Sequence, residues 1–274
     1  MLSNFIDEQK GVIFMEVTDI DNDFTAAMGN SGIYPFRLGI CLYLADGFLV
    51  DAGSGLILKK VKKFLSGKKV NCVGITHVHE DHTGAAAWIK DEFNVPVYIH
   101  EASIEEAISD SSVPLYRKLT WGNRKGFAAD PMPEYIETEK YRFDVIDAPG
   151  HHPHHVVFHE KNKGWLFTGD LYVSRKQAVA FKDENISQAI TSFERIVKLD
   201  FDTVFCGHSG VQKNGKSRII EKLNNYIELR ERVRALEKKG MSREEIDREL
   251  FPGKNLWSIV SGGEWSSLNM VKTV

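Results

Sequence analysis

The sequence predicts an α/β fold of two strand-rich stretches, each followed by helices, and then a helical tail. Three observations predict it. Short apolar or alternating runs of strand length recur between residues 11 and 212, separated by segments of helical period. The layout appears twice along the chain, without a repeat at solenoid periods. Beyond Lys216 no strand pattern remains, while helical periodicity continues. Across 274 residues, 42% hydrophobic and 27% charged content is ordinary for a globular chain with a sizeable core.

The elements follow in order. GVIFMEV (11–17) reads as a strand. GICLYLADGFLVDAGSG (39–55) reads as strands turning at Asp46-Gly47, a pair suited to the positive backbone angles of a two-residue hairpin. LILKKVKKFLSG has helical spacing and a glycine stop. VNCVGIT is a short buried strand, and THVHEDH overlaps its end. GAAAWIKDEF is then a helix, VPVYIH a strand and SIEEAIS a short helix. Residues 111–133 hold three prolines and two glycines and show no period, so a long surface excursion is expected there. YRFDVIDAPG and HHVVFHEKNKGWLFTGD are strands joined by a histidine-rich turn. NISQAITSFERIVKL is a helix, and DTVFCGH a strand ending in a loop. In the tail, residues 217–240 form one long amphipathic helix. SREEIDREL carries a capping box, with Ser242 as N-cap and Glu245 three residues on, and SSLNMVKTV is a last helix. The expected partition is a catalytic unit over 1–212 and a helical subdomain over 213–274.

Composition narrows the function. A net charge of -3 offers no strong electrostatic case for nucleic acid or membrane. From Asn214 on, twelve Lys or Arg face nine Asp or Glu, so the tail is only mildly basic. Three widely spaced cysteines without a CxxC pair fit a reducing compartment. Neither a signal peptide nor a spanning helix is legible, and a cytoplasmic location is expected.

The chemistry lies in strand-end loops. THVHEDH (76–82) packs three histidines and two acids into seven positions. On extended backbone, residues two apart point the same way, so His77 and His79 can grip one metal ion. Asp81 and His82 follow where the chain turns into a helix, and can face a second ion. Three later strand ends carry more donors: His151 in DAPGHHPHH, Asp170 in LFTGD and His208 in VFCGHSG. Five histidines and two aspartates suffice for two ions of three or four protein ligands each. Asp170 is the natural bridge, because a carboxylate can offer one oxygen to each ion. Buried as bare polar groups, such clusters would be costly. Elsewhere the bland reading is preferred: His152 and His154 as exposed turn residues, and His100, His159 and Cys206 without a ligand role.

The order and spacing of these motifs resemble the metallo-β-lactamase fold superfamily. The HxHxDH motif stands as His77, His79, Asp81 and His82. The later motifs stand at His151, Asp170 and His208, and the first, a strand-end aspartate, at Asp51. The resemblance runs from about Phe36 to Gly210. It implies a four-layer αβ/βα sandwich with metals at one edge, carrying here a small C-terminal helical appendage. It implies one site of His77, His79 and His151, a second of Asp81, His82 and His208, and Asp170 between them. His155 matches a supporting position beside the ligands, and Asp51 is read as orienting a ligand histidine. The nearest subgroups are glyoxalase II-like proteins and β-lactamase-like proteins with a C-terminal helical domain.

Two ions ~3.5–4 Å apart lower the pKa of a shared water from about 15.7 toward neutrality. The expected function is therefore hydrolysis of a small-molecule ester, thioester or lactone by a metal-bridging hydroxide that Asp81 orients. Two divalent ions are expected per chain, zinc foremost, with iron or manganese suited to the same donors. The alternative is a phosphodiesterase or endoribonuclease of the same superfamily, suggested by the long helix after GHSG and opposed by the modest tail charge. A mononuclear-iron persulfide dioxygenase would use fewer ligands than are present. The basic residues with which glyoxalase II binds glutathione find no counterpart in the tail. Substrate contacts are expected from residues 111–133 and the tail. Tyr116, Arg117, Lys118, Trp121, Arg124 and Lys125 either meet an anionic or aromatic substrate or tack the loop down.

Overall fold

A computed structural model of the chain describes residues 15–33, 37–253 and 256–274. Most of the strand expected over 11–17, and Phe36, lie outside the described residues. The first half runs β1 (Glu16–Asp21), β2 (Phe24–Ser31), β3 (Leu38–Ala45), β4 (Phe48–Val50), α1 (Leu58–Leu65), β5 (Cys72–Gly74), α2 (Glu80–Thr83), α3 (Ala86–Phe93), β6 (Val97–Ile99), α4 (Ile104–Ile108), α5 (Leu115–Thr120) and β7 (Asp130–Pro131). The second runs β8 (Tyr135–Glu137), β9 (Arg142–Asp147), β10 (Val156–Glu160), β11 (Trp165–Gly169), β12 (Ala180–Phe181), α6 (Ile186–Ile196), β13 (Thr203–Cys206) and β14 (Gly210–Gln212). The tail holds α7 (Gly215–Glu237), α8 (Arg243–Leu250), α9 (Leu256–Val260), β15 (Trp265–Ser266) and α10 (Ser267–Thr273).

Strands β1 to β7 form one sheet in sequence order, and a second is ordered β14-β13-β11-β10-β9-β8. Strand β3 shows why the sheets stack. Ile40, Leu42 and Leu44 face the helices of the first half, and Cys41, Tyr43 and Ala45 face the other sheet. A strand buried on both faces reads as a continuous apolar run, not as an alternation. Between the sheets lies an aromatic layer of Phe24, Tyr43 and Phe48 against Phe143, Phe158, Trp165, Phe167 and Phe205. Phe24 meets Trp165 at 4.8 Å between ring centroids, and Phe48 meets Phe143 at 4.8 Å. Each buried ring contributes roughly 1.5–3 kcal/mol. Helices α1 and α3 cover the outer face of the first sheet, and α6 and α7 that of the second. The result is the four-layer αβ/βα sandwich that the motifs implied.

The Asp46-Gly47 turn forms as expected, with φ of 46° and 84° at the two residues. The Ser242–Glu245 capping box is also present. Other elements depart from expectation. Strand β2 was not anticipated: FTAAMGNS is rich in small residues and ends in Gly-Asn-Ser, yet it pairs with β3 over its whole length. Residues 111–133 are not a surface excursion, since they contain α5, buried Trp121 and the edge strand β7. The tail does contain a strand, because β15 pairs with β12. Helix α7 buries Ile219, Leu223 and Val233 in one core with Val157, Leu166 and Phe193, and α10 adds Met270 and Val271. Among the described residues no helix is long and apolar enough to cross a membrane.

Candidate metal centre

Five strand ends converge on one edge of the sandwich. Strands β4 and β5 are parallel neighbours in the first sheet, and β11 and β13 in the second. Two successive antiparallel pairings bring β9 into the direction of β11. The C-terminal ends of β4, β5, β9, β11 and β13 therefore release Asp51, residues 76–82, His151, Asp170 and His208 on the same side. Hydrogen bonds between the sheets pin this edge. The Cys41 amide donates to Gly207 O at 2.8 Å, the Tyr43 hydroxyl to Cys206 O at 2.6 Å, and the Val156 amide to Thr76 O at 2.9 Å. Glycine is required at position 207, where a Cβ would stand 2.7 Å from both Asp170 Oδ1 and His82 Cε1.

The seven expected donors fall into two groups, each with its donor atoms within 4.8 Å of one another. In the first, His77 Nε2 lies 3.0 Å from His79 Nδ1, and His151 Nε2 lies 3.2 Å from the same atom. Nitrogens sharing one tetrahedral zinc would be about 3.4 Å apart at the usual bond length. The opposite nitrogen of each ring faces a polar partner. His77 Nδ1 is 3.1 Å from Thr76 Oγ1, His79 Nε2 3.7 Å from Asp183 Oδ2, and His151 Nδ1 3.5 Å from Glu184 Oε1. In the second group His208 Nε2 lies 2.8 Å from Asp170 Oδ2 and 3.3 Å from Asp81 Oδ2. His208 Nδ1 donates to Gly39 O at 2.5 Å. His82 Nδ1 donates to Asp51 Oδ2 at 2.8 Å. Asp51, at φ 60°, also accepts from the Thr76 amide at 2.8 Å.

The donor chemistry fits cations. His82 Nε2 and Asp170 Oδ1 are buried, 3.2 Å apart, and without a hydrogen-bond partner in the protein. Leaving two such atoms unsatisfied is costly, and a cation between them would satisfy both. All five imidazoles have one nitrogen held from behind and the other turned inward, an arrangement that presents lone pairs to a metal.

Burial, reinforced by neighbouring imidazoles, pushes His77 well below the usual histidine range. Burial does the same to His79. Burial would also lower His82 and His208, but nearby carboxylates outweigh it. Asp170 and Asp51 hold His82 well up, and Asp170 holds His208 at about 9. Burial would raise Asp170, yet His208 and His82 keep it well below the usual carboxylate range.

His155 is fully buried, stacks on His77 at 5.0 Å, and its Nε2 accepts from the Asp170 amide at 3.3 Å. His152, expected as an exposed turn residue, is buried beside His79 and Asp183, because the turn folds back into the sandwich edge. His154 is half-buried and stacks on His100. Buried His159 faces Asp200 O. Cys206 stands outside both donor groups, and its Sγ accepts from the His208 and Ser209 amides, shaping the turn that carries His208.

Of the loop residues, Trp121 lines a cavity of about 220 Å³ above the centre. Arg117 instead donates to Glu80 at 2.7 Å and to Glu264 at 3.4 Å. Its guanidinium lies over the rings of Trp121 and Phe181. Arg124 donates to the carbonyls of Ala107, Ser109 and Glu106, so it ties the loop together. Tyr116 is buried, and Lys118 and Lys125 are exposed. Sequence reasoning missed Asp183, Glu184, Phe181 and Trp265. The acidic pair precedes the helix N-cap Asn185 and reads there as an ordinary helix start.

Two histidine- and carboxylate-rich groups at one edge of an αβ/βα sandwich define a metal-binding class of protein. The comparisons make the family specific. The signature of the metallo-beta-lactamase superfamily matches residues 45–208, and the chain belongs to that superfamily. It is 26% identical over 149 residues to a probable metallo-hydrolase of Bacillus subtilis, covering 52% of this chain and 66% of that protein. It is 26% identical over 155 residues to a hydroxyacylglutathione hydrolase of Bdellovibrio bacteriovorus, covering 55% of each. The matched segment thus spans between half and two thirds of these relatives' lengths. A beta-lactamase domain protein from Burkholderia ambifaria shares the fold, with TM-score 0.69 at 16% identity over 93% of this chain and 86% of that one.

Proposed function

We propose that the chain is a metal-dependent hydrolase of a small-molecule ester, thioester or lactone, working with two divalent cations, zinc foremost. His77, His79 and His151 would hold one cation, and Asp81, His82 and His208 the other, with Asp170 reaching both. Bound cations polarise a substrate oxygen and make water acidic enough to ionise near neutral pH. The rest is done by the chain. Asp51 fixes the tautomer of His82, Gly39 O that of His208, and Glu184 steadies His151. Asp81 lines the cavity with a buried carboxylate that can accept a proton or orient water.

The observation that carries this reading is the position of Asp170. Its Oδ1 is 3.2 Å from His82 Nε2, and its Oδ2 is 2.8 Å from His208 Nε2 and 3.7 Å from His151 Nε2. One carboxylate thus touches both donor groups at the floor of a cavity. The relatives named as hydroxyacylglutathione hydrolases support the thioester branch. All seven donors belong to a catalytic unit over 1–212, and the subdomain over 213–274 shapes the substrate space. Three free, buried cysteines accord with a reducing cytoplasm.

The test is metal analysis followed by a substrate panel of p-nitrophenyl butyrate, a γ-lactone, S-lactoylglutathione and bis-p-nitrophenyl phosphate. Two ions per chain with ester, thioester or lactone turnover abolished by chelation is the expected result. Turnover of the phosphodiester alone would move the protein to the phosphodiesterase branch. Full ester turnover after verified metal removal would end the reading.

A further inference from the structure

The cavity above the metal centre has an apolar wall that the metal chemistry does not require. Leu38, Trp121, Val173, Val179, Phe181 and Trp265 line it, above Asp81, Asp170 and the histidines. These side chains come from separate regions of the chain. The two-residue pairing of β12 with β15 sets Phe181 opposite Trp265, and their rings stack at 4.8 Å with planes 7° apart. Trp121 meets Phe181 at 6.2 Å, and Trp257 backs Trp265 at 4.8 Å. The tail thus supplies a wall of the cavity.

Charge around this wall is already answered. Behind the rings, the Arg117 guanidinium is paired with Glu80 and Glu264. Glu184 accepts from Gln177 Nε2 at 2.9 Å and from the Phe181 amide at 2.8 Å. Among the described residues Lys176 is the one Lys or Arg of the lining, and it is exposed at the rim, while the lining histidines belong to the donor groups at the floor. Beyond the donor groups at the floor, the wall offers an anionic tripeptide no buried Lys or Arg. An uncharged apolar group would exchange water for aromatic and aliphatic surface. A volume of about 220 Å³ suits a short acyl chain or one ring. Sites for drug-sized ligands run to about 300–1,000 Å³.

We propose that this cavity receives an uncharged, apolar acyl chain or ring of the substrate, and that Trp265, Phe181 and Trp121 determine which substituents are turned over. The inference rests on the ester, thioester or lactone hydrolase reading above and names its substrate class. Glutathione conjugates are then poor substrates, although relatives bear that activity in their names.

The experiment uses the full chain with zinc verified, on p-nitrophenyl acetate, butyrate, hexanoate, phenylacetate and the anionic hemisuccinate, with S-lactoylglutathione alongside. kcat/KM is expected to rise about three- to fourfold per added methylene until the cavity fills. The hemisuccinate should fall at least about tenfold below butyrate, since with the ester carbonyl at the floor its carboxylate would lie against the apolar wall, which offers it no Lys or Arg. Trp265→Ala should lower the hexanoate-to-acetate ratio by about tenfold. Should removing the ring disturb β15, Val173→Trp tests the same space by filling it, and should lower that ratio in a folded protein. A ratio unmoved in both variants, equal rates on hemisuccinate and butyrate, or preference for S-lactoylglutathione would overturn the proposal. Absence of turnover on every ester and thioester, acetate included, would count against the hydrolase reading instead. Quenching of tryptophan fluorescence by hexanamide against succinamate then still decides whether the cavity takes apolar ligands.

Discussion

His77, His79 and His151 bring three imidazoles together, whereas Asp81, His82, Asp170 and His208 mix two carboxylates with two imidazoles. The two groups draw most of their support from different halves of the chain, with Asp51 reaching both, since Thr76 Oγ1 donates to it at 3.1 Å and lies 3.1 Å from His77 Nδ1. The carboxylate-rich group leans on the first sheet, through Asp51 after β4 and Gly39 O in β3. The imidazole group leans on the second half of the chain, through Asp183 and Glu184 just before α6. From Glu184 the support continues through Gln177 to Lys222 and Tyr226 on α7. A cation held by neutral imidazoles depends mainly on ring orientation, and one held by carboxylates gains charge neutralisation as well. Damage at Glu184 should therefore weaken the imidazole group and spare the other, whereas damage at Asp51 should fall mainly on the carboxylate-rich group and damage at Asp170 on both.

The largest effect is expected at that junction. Asp170→Ala should strip metal from the purified protein and lower turnover by more than about a hundredfold, beyond what loss of a supporting residue costs. Metal analysis checks it, and two retained ions would show that Asp170 does not join the groups. Next come the supports, each expected to cost about 10–100-fold in metal affinity. Asp51→Asn should weaken chiefly one binding step and Glu184→Gln chiefly the other, as resolved by titration against a chromophoric chelator. Asp51→Asn should cost more, because its carboxylate contacts His82 at 2.8 Å against 3.5 Å for Glu184 and His151. If both substitutions weakened the same step, the division between the groups would fail. Gly207→Ala pushes a methyl group against Asp170 and His82 together. It should cost about 1–3 kcal/mol in stability, read by denaturant titration.

The smallest effect at neutral pH belongs to Lys222, at the far end of the support for His151. Burial pulls its pKa down to about 8, with Glu184 and Cys206 opposing, and its Nζ donates to Gln177 Oε1 beside the Tyr226 ring. The unfolded chain would hold this proton up to about pH 10.5, so between about pH 8 and 10.5 the unfolded state binds more protons. Stability should rise with pH across that window, by up to about 3 kcal/mol. Lys222→Met should remove that rise while changing turnover at pH 7 by less than about tenfold. Unfolding titrations at pH 7.5 and 10 on both proteins check it, and an unaltered pH slope would count against it.

Legibility followed the range of the interactions. THVHEDH announced itself because four donors sit within six residues, and the Asp46-Gly47 turn because its backbone demands are local. His151, Asp170 and His208 were legible one at a time as polar residues at strand ends. Of the supports, Asp51 and His155 were read through the resemblance, while Glu184, Asp183 and Gly39 O were not. Glu184 looks like any acid before a helix, and its neighbour His151 is 33 residues away. Strand β2 escaped because its pairing with β3 carries the structure where its own propensity does not. Strands β12 and β15 have two residues each, too few to show a period. Arg117 and Arg124 look alike as loop cations, and only their partners separate them.

By itself the sequence determined which residues can donate to a metal, and that they stand at strand ends in a particular order. Both follow from side-chain chemistry and from backbone geometry over a few residues. Only the tertiary structure decided that Asp183, Glu184 and Gly39 O stand behind the rings of His79, His151 and His208, and that Phe181 and Trp265 wall a cavity above them. Those outcomes depend on distances between segments up to 169 residues apart, as between Gly39 and His208. Such distances are set when two sheets stack on a shared aromatic layer, and no local pattern in the chain encodes them.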